Sequence, residues 1–128
     1  MKWTLTIALF TATFQAVGSC DAPKDQKEAN TCYTSASLSL NKSLALQIDE
    51  YGARLSASQV SQLHASQAAW ESYRKAQCTF EASGAQDSPA YPEVHAQCAI
   101  LMAQARLQLI RRIQYCKAGP IPCPVPWE

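Results

Sequence analysis

Six cysteines, two histidines and one short stretch around a tryptophan are the residues here whose types and spacing could do chemistry. The cysteines stand at Cys20, Cys32, Cys78, Cys98, Cys116 and Cys123, and no two are spaced Cys-x-x-Cys, so a thioredoxin-like redox pair is not expected. His64 and His95 lie far apart, without a His-Glu-x-x-His signature, and there is no glycine-rich phosphate loop. A cysteine nucleophile needs a free thiol beside a base, and an even cysteine count leaves none once the sulfurs pair. A zinc site would compete for those same sulfurs. The residues therefore assign no catalytic group, no metal and no cofactor, and both histidines are expected on the surface or lining a helix.

The densest cluster is Gln67-Ala68-Ala69-Trp70-Glu71-Ser72-Tyr73-Arg74-Lys75-Ala76-Gln77-Cys78. On a helix, Gln67, Trp70, Arg74 and Cys78 fall three or four apart and share one side. An arginine among apolar neighbours must be paired or hydrogen-bonded if it is buried. Arg106 lies eight residues after Cys98 as Arg74 lies four before Cys78. A Cys78–Cys98 bond would bring both guanidinium groups to one inter-helix seam. The expectation is structural: Trp70 in the core, Arg74 and Arg106 tying helix faces to carboxylates or carbonyls.

Gln67, Trp70, Tyr73, Arg74 and Cys78, followed by Cys98 and Arg106, resemble the LprI-type lysozyme-inhibitor domain, a family of exported bacterial helical proteins. The Cys20 to Cys32 spacing and the Leu40-Asn41 pair are similar to the family's N-terminal portion. The chain departs from the pattern at Ser37, Leu44 and Ala103, where an Asp, an aromatic and a Thr are common, and in its Gly84-Ala85-Gln86-Asp87-Ser88 loop. The resemblance implies a compact α-helical domain outside the cytoplasm, with a protein partner of the lysozyme class and those seven residues as scaffold.

Between Lys75 and Arg106 there is no Lys or Arg, while Glu81, Asp87 and Glu93 are present. A lysozyme is typically basic, so an acidic stretch closed by a disulfide would steer and complement it and lose little entropy on binding. Residues 81–95 are the expected contact, with Glu81, Asp87, Tyr91 and Glu93 as participants. The alternative is a structural or interaction protein of the cell envelope with a different partner.

The elements that must position these residues are helical. Leu40, Leu44, Ile48, Tyr51 and Leu55 recur at four, four, three and four, one stripe of a helix from Lys24 or Ala29 to Tyr51, with Gly52 as the stop. Ser56 or Ser58 can cap a second helix from 58 to 82, with Val60, Leu63, Trp70, Tyr73 and Phe80 on its apolar face. Ser83 to Pro92 is turn chemistry. A third helix from Pro92 to Cys116 would turn Val94, Cys98, Leu101, Ala105, Leu109 and Ile113 inward, and Gly119-Pro120 would end it. The tail, residues 118–128, carries Pro120, Pro122, Pro124 and Pro126 and must be extended. The fold class expected is all-α, a three-helix bundle stapled by disulfides. Six cysteines allow fifteen pairings. The sequential set Cys20–Cys32, Cys78–Cys98 and Cys116–Cys123 is favoured because each spans a turn or chain end.

Residues 1–19 read as a signal peptide: Lys2 for the positive start, an uncharged run from Trp3 to Phe14, and small Ala16 and Gly18 before the cleavage point. That run is shorter than the ~20 residues of a membrane span, so an integral membrane protein is not expected. Loss of Lys2 with the leader takes the basic residues from eleven to ten, equal to the ten acidic ones, and gives no support for nucleic acid as partner. The destination is periplasmic or secreted, where disulfides persist. Val17-Gly18-Ser19-Cys20 also resembles a lipobox, which would anchor the chain by lipid at Cys20 and leave an odd number of thiols.

Overall fold

The computed structural model of the chain describes residues 20–120 and 122–126. The expected signal peptide therefore lies outside the described residues, as do Ile121, Trp127 and Glu128 of the tail. The described residues form three helices and no strand: α1 (Gln26–Gly52), α2 (Ala57–Glu81) and α3 (Tyr91–Gln114), with a single 3₁₀ turn at Ala82–Ala85.

Local chemistry sets each start. Asp25 is extended and its carboxylate accepts the Glu28 backbone N–H at 2.8 Å, which caps α1. Ser56 caps α2 through a reciprocal box: its Oγ accepts from the Gln59 N–H, and Gln59 Oε1 accepts from the Ser56 N–H. Pro92 sits in the first turn of α3, where its missing N–H has no helical partner to lose. Gly52 is still helical and α1 ends on a right-handed Ala53, so the stop comes one residue later than expected. The stretch after α2 is not all loop, because the chain tightens into the 3₁₀ turn before α3.

The helices run up, down and up, so α1 and α3 are parallel. Gln26 bonds Glu93 near their N-terminal ends and Gln47 bonds Gln114 near their C-terminal ends, each pair separated by 67 residues. The constant offset means the two helices keep one register over about 30 Å. α3 packs chiefly on α1 and next on α2, while α1 and α2 barely touch. The main core, Leu44, Ile48, Tyr51 and Ile110 with Leu63, Trp70, Leu107 and Ile113 against it, fills the half nearest the C-terminal end of α1.

Two expected faces need correction. On α3 the buried positions are Ala96, Cys98, Ala99, Ala103, Arg106, Ile110 and Gln114, whereas Ala105 is exposed and Leu101 is 66% exposed. α3 must approach α1 closely, and small side chains permit a shorter axial distance than leucines do. On α2, Tyr73 and Phe80 are exposed and Cys78 alone is buried. The α1 backbone comes near α2 at few points, so the narrow stripe Leu63, Gln67, Trp70, Arg74 and Cys78 is enough to pack on α3 and to reach α1 through side chains.

The disulfides pair sequentially: Cys20–Cys32 fastens the N-terminal segment to α1, Cys78–Cys98 joins α2 to α3, and Cys116–Cys123 turns the tail back. The tail is non-helical and is held where Gln59 Nε2 donates to the Pro124 carbonyl at 2.8 Å and Arg54 to the Pro126 carbonyl at 3.2 Å. No helix among the described residues is long and apolar enough to cross a membrane.

Candidate functional site

Trp70 is the centre of the motif cluster. The Arg74 guanidinium, one turn on, lies 4.6 Å from its ring centre, and that of Arg106, from α3, lies 5.8 Å away. Arg74 Nη1 donates to Asn41 Oδ1 on α1. Arg106 Nε donates to Gln67 Oε1 at 3.1 Å and its Nη2 to Ser66 Oγ at 3.0 Å. Two cations thus tie three helices through one indole, an arrangement worth about 0.5–2 kcal/mol per cation–π contact. Two of the acceptors, Asn41 Oδ1 and Gln67 Oε1, are amide carbonyl oxygens, as expected; the Ser66 hydroxyl and the indole face are further partners, and no carboxylate takes part. Burial pulls the Arg106 guanidinium below the ordinary arginine range, yet arginine stays charged at any working pH.

Cys78, one turn after Arg74, is joined to Cys98, and Gln67, Trp70, Arg74 and Arg106 are brought together around the indole. Tyr73 is not: it is 59% exposed on the far side of α2. Asn41 and Ser66 complete the cluster, and nothing in their local sequence marks them as acceptors for distant arginines.

Beyond Cys78 the chain crosses the end of the bundle and returns at Cys98, with 5.5 Å between the two Cα atoms. Glu81 and Asp87 are exposed, and Glu81 Oε1 accepts from Gln77 one turn earlier at 2.8 Å. Glu93 is half-buried and both its oxygens are engaged, one by Gln26 of α1 at 2.6 Å and one by Gln97 at 3.1 Å. Asn30 Nδ2 donates to the Pro89 carbonyl at 2.8 Å. The loop is thus closed by the disulfide and clasped to the start of α1. Glu81 and Asp87 present their charge to solvent, while Glu93 holds the clasp.

Next to this loop lies a groove of about 550 Å³ between α1 and α2, with α3 at its base. Ser37, Ala96 and Ala99 form a buried floor; Leu38, Tyr91 and Pro92 line one side, and Glu71, Arg74 and Lys75 the other. Tyr91 stacks at a tilt on His95, 5.9 Å between ring centres. His64 is exposed on α2, far along the chain from His95. Among the described residues, no group of three or more His, Cys, Asp or Glu could hold a metal ion.

Comparison with known proteins gives one family. The family model described as "Lysozyme inhibitor LprI" matches residues 20–109, well over half of the chain. The match begins at Cys20, takes in the Trp70 cluster, the bridged loop and the groove, and stops within α3 before the Cys116–Cys123 tail. No curated protein and no solved structure matches.

Proposed function

Because this chain belongs to the lysozyme inhibitor LprI family, we propose that it is exported and inhibits a lysozyme by binding it with the disulfide-closed end of the bundle, residues 81–95. The family match carries the reading. It makes a protein partner outside the cytoplasm the expected role, and a family of inhibitors gives no reason to look for catalysis. The surface supports it: Glu81 and Asp87 are exposed on a stretch without Lys or Arg from 76 through 105. A negative patch complements a basic enzyme and speeds encounter. The disulfide and the Gln26–Glu93 clasp hold the patch in shape before contact, which lowers the ordering cost of association. Tyr91, half-buried beside the patch, supplies an amphipathic ring of the kind enriched at interfaces.

The Cys20–Cys32 bond supports a soluble form over a lipid-anchored one, since one sulfur cannot hold both a disulfide and a lipid thioether. The test is a cell-wall lysis assay with c-type and g-type lysozymes and the oxidised protein. Inhibition at micromolar protein supports the reading. No inhibition of either class overturns it and leaves an envelope protein with a different partner. Intact mass tests the anchor: three disulfides and no diacylglycerol adduct are expected.

A further inference from the structure

We infer that the groove between α1, α2 and α3 binds a small amphiphilic anion, an acyl chain of medium length ending in a carboxylate or a phosphate. The site adjoins the proposed lysozyme contact, sharing Tyr91 with it, and its binding does not depend on lysozyme inhibition.

The groove is built, not left over. Its floor is Ser37, Ala96 and Ala99, all buried and all small, so the space exists because these positions carry no bulk. Leu38 stands 65% exposed on the rim, on the side it shares with Tyr91 and Pro92, and an apolar chain laid along them would cover that leucine. The α1 edge runs from Thr34 to Asn41, about 10 Å at the helical rise, a length suited to a medium acyl chain. A volume of about 550 Å³ is the size of small-ligand sites.

The charges at one end select the head group. Among the described residues, Lys75 has no hydrogen bond or ion pair, and Arg74 gives only Nη1 to Asn41, leaving Nε and Nη2 without a protein acceptor. The carboxylate of Glu71 is the one acid in the lining and it accepts from Gln67 at 3.1 Å. Two cations against one carboxylate favour an anionic head, and the guanidinium fork matches carboxylate and phosphate oxygens. The walls are pinned by Cys78–Cys98 on one side and by the Gln26–Glu93 and Asn30–Pro89 bonds on the other, so little ordering is needed on binding.

Calorimetric titration of the intact oxidised protein with decanoate and with decyl phosphate, each below its self-association concentration, tests this. Saturable binding of one molecule per chain is expected, with decanol and decyltrimethylammonium binding weakly. Preference for decanoate points to a fatty acid as the natural source, and preference for decyl phosphate to a lysophospholipid; both support the site. Lys75→Glu, an exposed change, should weaken binding about fivefold or more, and Ala99→Leu should fill the floor and abolish it. Absence of saturable binding by either anion, equal binding of the ammonium probe, or unchanged affinity in Lys75→Glu would overturn the proposal. These readouts contain no lysozyme, so this site and the inhibitor reading can fail independently.

Discussion

The guanidinium carbon of Arg106, on α3, stands 5.8 Å from the ring centre of Trp70 on α2. The group is buried, is hydrogen-bonded to Gln67 and Ser66, and no carboxylate takes part in those bonds. What it supplies is a planar fork that can bond sideways while its face meets an indole, and lysine has no equivalent. Arg106→Lys should therefore cost about 1–3 kcal/mol. Arg106→Met should cost less, because the stem still packs, no charge is desolvated, and Gln67 and Ser66 lie near enough to the surface to rehydrate. Urea unfolding of both variants checks the order.

Tyr51 closes the main core with a hydroxyl that is buried and, among the described residues, has no hydrogen-bond partner. Burial raises its pKa above the ordinary 10.0, against a smaller opposing pull from the Arg54 charge. The unfolded chain then loses this proton before the folded one does, so stability holds below about pH 10 and falls as pH rises from there toward the folded-state value. Tyr51→Phe should remove that alkaline loss and stabilise the protein by about 1 kcal/mol at neutral pH. Thermal unfolding from pH 7 to 11 reads both effects.

The acids of the bridged loop should separate by role. Asp87→Lys should weaken lysozyme inhibition about tenfold at low salt and much less at high salt, with no change in melting temperature. Glu93→Ala should instead lower stability by about 1–3 kcal/mol, because Gln26 and Gln97 lose a shared charged acceptor. Inhibition constants at two ionic strengths, beside melting curves, distinguish the two.

Removing the disulfides should show a gradient that follows loop length. The Cys78–Cys98 bond closes 20 residues and the Cys116–Cys123 bond closes 7, so chain entropy assigns about 3 and about 2 kcal/mol respectively. The double alanine variant at 78 and 98 should also lose inhibition, because it frees the loop. The variant at 116 and 123 should keep it, because the tail lies at the opposite end of α3. Guanidinium unfolding and the lysis assay check the pair.

Much of this protein was legible along the chain, where the signals are local. Leu40, Leu44, Ile48 and Tyr51 repeat at helical spacing and are buried on α1; a cap at Ser56 or Ser58 was legible from residue type, and the structure uses Ser56, whose Oγ accepts the Gln59 backbone N–H. Cysteines separated by turns paired in sequence because the turns bring their Cα atoms within about 6 Å. The cluster from Gln67 to Cys78 marked one side of α2 and the family. Tertiary structure decided which face of α3 turns inward, since parallel contact with α1 selects Ala96, Ala99 and Ala103 over the leucines beside them. It also decided that Glu93 holds a clasp while Asp87 stays free in solvent, that Asn41 and Ser66 receive the arginines, and that three small residues open a groove. Periodicity and capping depend on residues a few positions apart, whereas each of these depends on how far apart two helices come to rest.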